Sequence, residues 1–137
     1  MRKAYPVIFT QTDDMILVEV PDLEILTEGK NIEEAIEMAR DAIGVNGISR
    51  EDKNENIPEA SDIHDIDIAK GTFAQDGESF LSIIDIDFTE YRRKADNRTV
   101  RRNVSLPSWL NLEAEKANLN VSKVLQEALM IELNVHR

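Results

Sequence analysis

Asp85 and Asp87 stand two residues apart in the β-branched run Ser79–Phe88 (SFLSIIDIDF), so on a strand their carboxylates share a face. Asp13 and Asp14 are adjacent, and Asp62, Asp65 and Asp67 are clustered. Several carboxylates around paired Mg²⁺ ions can hydrolyse phosphodiesters. Here no spacing ties the three groups into one constellation, and strand-end aspartates commonly serve structure. The chain has no cysteine and two widely separated histidines, His64 and His136. That excludes a thiol nucleophile, a thiolate zinc site and a multi-histidine centre within one chain. His64 has no evident catalytic partner, His136 is one residue from the end, and no cofactor is expected. A different chemistry is offered by TVRRNVSL at 99–106, where Arg101, Asn103 and Ser105 alternate with Val104 and Leu106. On a strand, one polar face then presents a guanidinium suited to guanine O6/N7, an amide suited to adenine N6/N7 and an adaptable hydroxyl.

Those side chains need elements to hold them. YPVIFT at 5–10 and MILVEV at 15–20 read as two strands joined by the polar turn 11–14. Pro21-Asp22 breaks the second, and 23–27 could add a third. Asn31, with Glu34 three residues on, opens a helix as in a capping box. Ile32, Ala35, Ile36, Ala39 and Ile43 make its apolar stripe, and Gly44 and Gly47 supply its stop. Residues 49–62 read as a loop, 63–69 as a short strand, Asp76-Gly77 as a turn and 79–88 as a central strand. The order is β-β-β-α-β. The charged stretch YRRKADNR at 91–98 reads as a linker, in which Tyr91, Arg92 and Arg93 could touch a DNA backbone. Beyond it come the strand 99–106, a helix entered through Pro107, the turn Asn118-Leu119-Asn120, and a helix capped by Asn120. Its first turn, including Ser122, could offer backbone N–H groups to a phosphate. Trp109 suits packing at a dimer interface.

Length and charge set bounds. The chain has 137 residues, 42% hydrophobic, enough for a core. No apolar run reaches the ~18–20 residues of a membrane span, and no signal peptide is evident, so a cytoplasmic location is expected. Residues 1–90 carry 7 Lys and Arg against 22 Asp and Glu, a net of −15; residues 91–137 carry 9 against 5, a net of +4. Such asymmetry points to two halves with different partners. A strand and two small helices in 39 residues are too little chain for a private core, so obligate pairing of the C-terminal part is expected.

The C-terminal pattern resembles the ribbon-helix-helix module, in which two chains pair their strands and insert the ribbon into the DNA major groove. The resemblance extends further. YPVIF near the start, VEVPDL at 18–23, TEGKNIEEAIEMARDAI at 27–43 and RRNVSLPSWLNLEAEKANLNVSKVLQEAL at 101–129 are similar to HicB-type antitoxins, with only about 48–78 unmatched. The resemblance implies an α+β protein. Residues 1–90 would form a partial RNase H-like domain that binds and neutralises a HicA-type mRNA-cleaving toxin. After the linker 91–98, residues 99–137 would form a ribbon-helix-helix domain that dimerises, binds operator DNA and represses the operon. Arg101, Asn103, Ser105 and Ser122 are the expected DNA contacts. Glu33, Glu37 and Asp41, on one helix face, are the candidate toxin contacts, since an acidic surface can cover a basic RNA-cleaving one. Contacts between N-terminal domains could raise the dimer to a tetramer.

Two other functions compete. One is a ribbon-helix-helix transcription regulator whose N-terminal domain binds a small ligand. The other is a metal-dependent nuclease, disfavoured here by the scattered carboxylates; the protein is expected not to be an enzyme.

Overall fold

The computed structural model describes residues 1–96 and 98–135; His136 lies outside the described residues. The chain divides into two compact units, 1–98 and 99–137. In the first unit, β1 (Arg2–Gln11), β2 (Ile16–Val20), β3 (Ile25–Gly29) and β4 (Glu78–Asp87) form one sheet, ordered β3-β2-β1-β4. All three pairings are antiparallel. Thr12 closes the first turn: its amide donates to the Met15 carbonyl at 2.9 Å, and its hydroxyl accepts the Met15 amide at 3.1 Å. Pro21–Leu23 makes a single 3-10 turn where the second strand was expected to break.

Alternate residues of the strands meet α1 (Ile32–Asp52). Tyr5, Val7, Phe9, Ile16, Val18, Val20, Ile84 and Ile86 are buried together with Ala35, Ala39 and Ile43 of the helix. The Asn31 side chain accepts the Glu34 amide at 2.8 Å, as a capping residue should. Gly44 and Gly47 do not stop the helix. They clear space for α2 (Phe88–Ala95): a Cβ on Gly44 would lie 2.6 Å from the Tyr91 ring, and one on Gly47 would run into the Phe88 ring. The helix ends instead at Asn54, which takes the left-handed conformation at φ 57°.

The sheet's opposite face is covered too. Pro6, Ile8 and Thr10 are buried under an irregular strap, residues 53–77. Its half-buried Ile63, Ile66, Ile68 and Phe73 turn inward. Two clasps hold it. Thr72 donates its amide (2.9 Å) and hydroxyl (2.7 Å) to the Glu19 carboxylate, and Ser61 donates likewise to Asp22 at 2.9 and 2.5 Å. The strand expected at 63–69 is replaced by two 3-10 turns, Ile63–Asp65 and Ile68–Lys70. The cause is local: the Asp62 and Asp67 carboxylates accept the amides two residues on, at 2.8 and 3.0 Å, and curl the chain.

The second unit contains α3 (Ser108–Lys116) and α4 (Val121–Glu132). Asn118, left-handed at φ 55°, ends α3, and the Asn120 side chain caps α4 by accepting the Lys123 amide at 3.1 Å. Residues 99–106, expected as a strand, belong to no helix or sheet. A strand exists through its ladder, and a single copy offers this segment no partner. Among the described residues no helix is long and apolar enough to cross a membrane.

Candidate functional site

Of the carboxylates that invited catalysis, Asp62, Asp67, Asp85 and Asp87 are occupied. Asp85 sits between two guanidiniums, accepting from Arg2 at 2.8 Å and Arg40 at 3.3 Å, while Arg40 also donates to the Asp85 carbonyl. Asp87 caps α2 by accepting the amides of Thr89 (3.0 Å) and Glu90 (3.2 Å). The Glu90 amide leads in holding this carboxyl below its ordinary range. Asp62 also receives the His64 ring at 2.7 Å, and its two bonds to His64 depress it. Among the described residues no three His, Asp or Glu groups converge as metal ligands would.

Glu33, Glu37 and Asp41 lie exposed on one face of α1, a turn apart. They are not equivalent. Asp41 accepts the Tyr91 hydroxyl at 2.6 Å and so helps bind α2 to α1. Burial, and then this bond, push the Tyr91 phenol up to about 12. Glu33 and Glu37 are exposed and make no such bond to α2.

The linker expected at 91–98 is helical through Ala95, and its cations are spent inside the first unit. Arg92 donates to the Ile48 carbonyl at 3.2 Å, to Glu51 at 3.3 Å and to Asp52 at 3.0 Å. Arg93 donates to Glu90 at 2.6 Å and Arg98 doubly to Asp96, both at 2.9 Å. Arg92 and Arg93, which on sequence could touch a DNA backbone, are thus paired within the first unit. This also redraws the charge map. Residues 99–137 hold five Lys and Arg against four Asp and Glu, a net of +1, leaving −12 on 1–98.

Arg101, Asn103 and Ser105 are all exposed in the segment without secondary structure, and Ser122 is exposed in the first turn of α4. Not one described residue from 99 to 135 is buried. Trp109, 67% exposed, and Leu110, Leu112, Val124 and Leu129 all face solvent in the single copy. Sequence reasoning missed the α1–α2 seam. Its trace was present: Gly44 and Gly47 are spaced by three, as are the two aromatics Phe88 and Tyr91 that sit on them.

Against this geometry stand the relatives. Residues 5–128 match the family model described as HicB_like antitoxin of bacterial toxin-antitoxin system. No curated protein matches the chain in sequence. Solved structures resemble it too. One, a toxin–antitoxin complex from Streptococcus pneumoniae, has 23% identity and TM-score 0.61, covering 96% of this chain and 99% of the other. The second, the antitoxin HicB from Burkholderia pseudomallei, has 22% identity and TM-score 0.54, covering 96% and 97%. At such identities the likeness is one of fold.

Proposed function

Because the chain belongs to the HicB-like antitoxins of bacterial toxin–antitoxin systems, we propose that it neutralises a HicA-type mRNA-cleaving toxin and represses its own operon as a ribbon-helix-helix dimer. The observation that carries the second half is the coreless C-terminal unit. Two helices with no fully buried apolar side chain do not hold together alone, since burying each such side chain is worth about 1.5–3 kcal/mol. A second copy supplies the missing surface. Pairing residues 99–106 of two copies antiparallel gives the ladder that one copy lacks and sets Arg101, Asn103 and Ser105 on one face of the ribbon. Ser122, with the first amides of α4, then meets phosphate.

The first half rests on charge and on engaged carboxylates. A unit of net −12 attracts a basic RNA-binding protein and accelerates its association. Asp85 and Asp87 work as ion-pair and capping groups, which fits a binding protein better than an enzyme. The β-β-β-α-β order supports a partial RNase H-like plan for this unit. Glu33 and Glu37 on α1 are the proposed toxin contacts, with Asp41 in a supporting place beside Tyr91.

The test is co-expression with a HicA-type small basic protein encoded beside it, where one is found, followed by co-purification and gel-shift on the promoter upstream of this chain's own gene. Stable co-purification and a shift on that DNA, absent on scrambled DNA, are expected. A chain that shifts DNA yet never retains the toxin would instead make it a regulator with another ligand.

A further inference from the structure

The four-stranded sheet has two edges, and they differ. β3 is five residues long, carries Glu28 and ends at Gly29, against which the α1 backbone packs closely. β4 is ten residues long, is paired along its whole length with β1, and has no second neighbour among the described strands. Exposed edges are ordinarily blunted by charge, proline or a bulge. The β4 stretch Ser79–Ile84 (SFLSII) has neither charge nor proline. Phe80, stacked on Phe9 with centroids 5.4 Å apart, is still 44% exposed, and Ile83 on the opposite face is 49% exposed. An unguarded edge with apolar side chains on both faces is a surface for another strand.

We propose that the occupant is β4 of a second copy, joined antiparallel about a two-fold axis at Ser82 to make one continuous sheet of eight strands. The argument is self-complementarity. In this register Ser82 faces its own counterpart, Leu81 faces Ile83 of the second copy, and Phe80 faces Ile84. Ser79 comes opposite Asp85, and Glu78 comes opposite Ile86. No carboxylate is set directly against another, the arrangement that would penalise two acidic units most. A basic strand from another protein would find little to match in the uncharged centre of β4. The pairing does not depend on the C-terminal unit; where that unit also pairs, the two contacts build a larger assembly.

The cysteine-free chain makes the test clean. Ser82 is half-buried and close in size to cysteine. In the full chain, Ser82→Cys should link to itself under mild oxidation, because facing Cβ atoms in such a pair lie about 4.5–5.5 Å apart. Leu26→Cys, on the other edge, should not. Ile83→Lys should halve the mass measured by light scattering while leaving the circular dichroism unchanged. Crosslinking at 82 no faster than at 26 overturns the proposal, as does an unchanged mass for a folded Ile83→Lys. If Ile83→Lys fails to fold, the crosslink alone decides. A link at 82 that forms only between antitoxin and toxin also overturns it.

Discussion

Gly47 shows how a residue's meaning is set by what it faces. In an exposed helix interior, glycine to alanine gains about 1 kcal/mol. Here the new methyl would enter the Phe88 ring, so Gly47→Ala should lose roughly 1–3 kcal/mol by overpacking, read as a lower urea midpoint at unchanged slope. The only two tyrosines make a second case. The Tyr5 hydroxyl donates to the Pro58 carbonyl at 2.6 Å, and burial, then Glu59 and Asp22, push its pKa up to about 12, like that of Tyr91. A raised phenol favours the fold in its neutral form. That contribution is full below about pH 10, where a free tyrosine ionises, and is lost as pH rises toward 12. Ultraviolet titration should show no phenolate step near pH 10, and ionisation should coincide with unfolding. A free step of one tyrosine at 10 in Tyr5→Phe would mean that Tyr91 is not held as described.

At the scale of elements, what could be read in advance was whatever is encoded nearby. The caps at Asn31 and Asn120 act on amides three residues away, and the Ile32–Ile43 stripe repeats within one helix, so each is visible in a short window. The turn-forming Asp62 and Asp67 were equally local, yet the isoleucines between them resembled a strand. The role of Gly44 depends on Tyr91, 47 positions on, and no window contains both. The 99–106 segment is a harder case, because in the proposed dimer its partner is another molecule. The charged stretch 91–95 was misplaced because its pairing carboxylates, Glu51 and Asp52, are some 40 residues upstream. This reassignment changes what mutants should do. Arg101→Ala and Asn103→Ala should each lose about 1–3 kcal/mol of discrimination for the operator, measured against scrambled DNA. Arg92→Ala should instead lower the stability of the first unit and leave the salt slope of DNA binding unchanged. A slope reduced by about one would return Arg92 to the phosphate backbone.

For the whole molecule, the division between units falls after Arg98 and not before Tyr91. Fragment 1–98 retains the Tyr91–Asp41 and Arg92–Asp52 contacts; fragment 1–90 loses both. In pull-down with the toxin, 1–98 should retain it, whereas 1–90 should be less stable to heat and retain less. Fragment 99–137 should dimerise and hold operator DNA without holding toxin. With a net charge of only +1, it should bind through the few cations of the ribbon, giving a shallow salt dependence. Toxin captured by 99–137 and not by 1–98 would reverse the two roles.

The strap that crosses the sheet also has a bearing on how the protein ages. Its attachments are side-chain contacts, among them the clasps of Glu19 with Thr72 and Asp22 with Ser61, the Tyr5 bond to Pro58 and a few half-buried apolar residues, whereas the sheet beneath is laced by continuous ladders. Segments held so lightly open on their own, well before the whole domain lets go. A protease would find its first cut between 53 and 77, and the wound would bare Pro6 and Ile8 while the ladders still held. The lifetime of the molecule is thus written in its most irregular stretch.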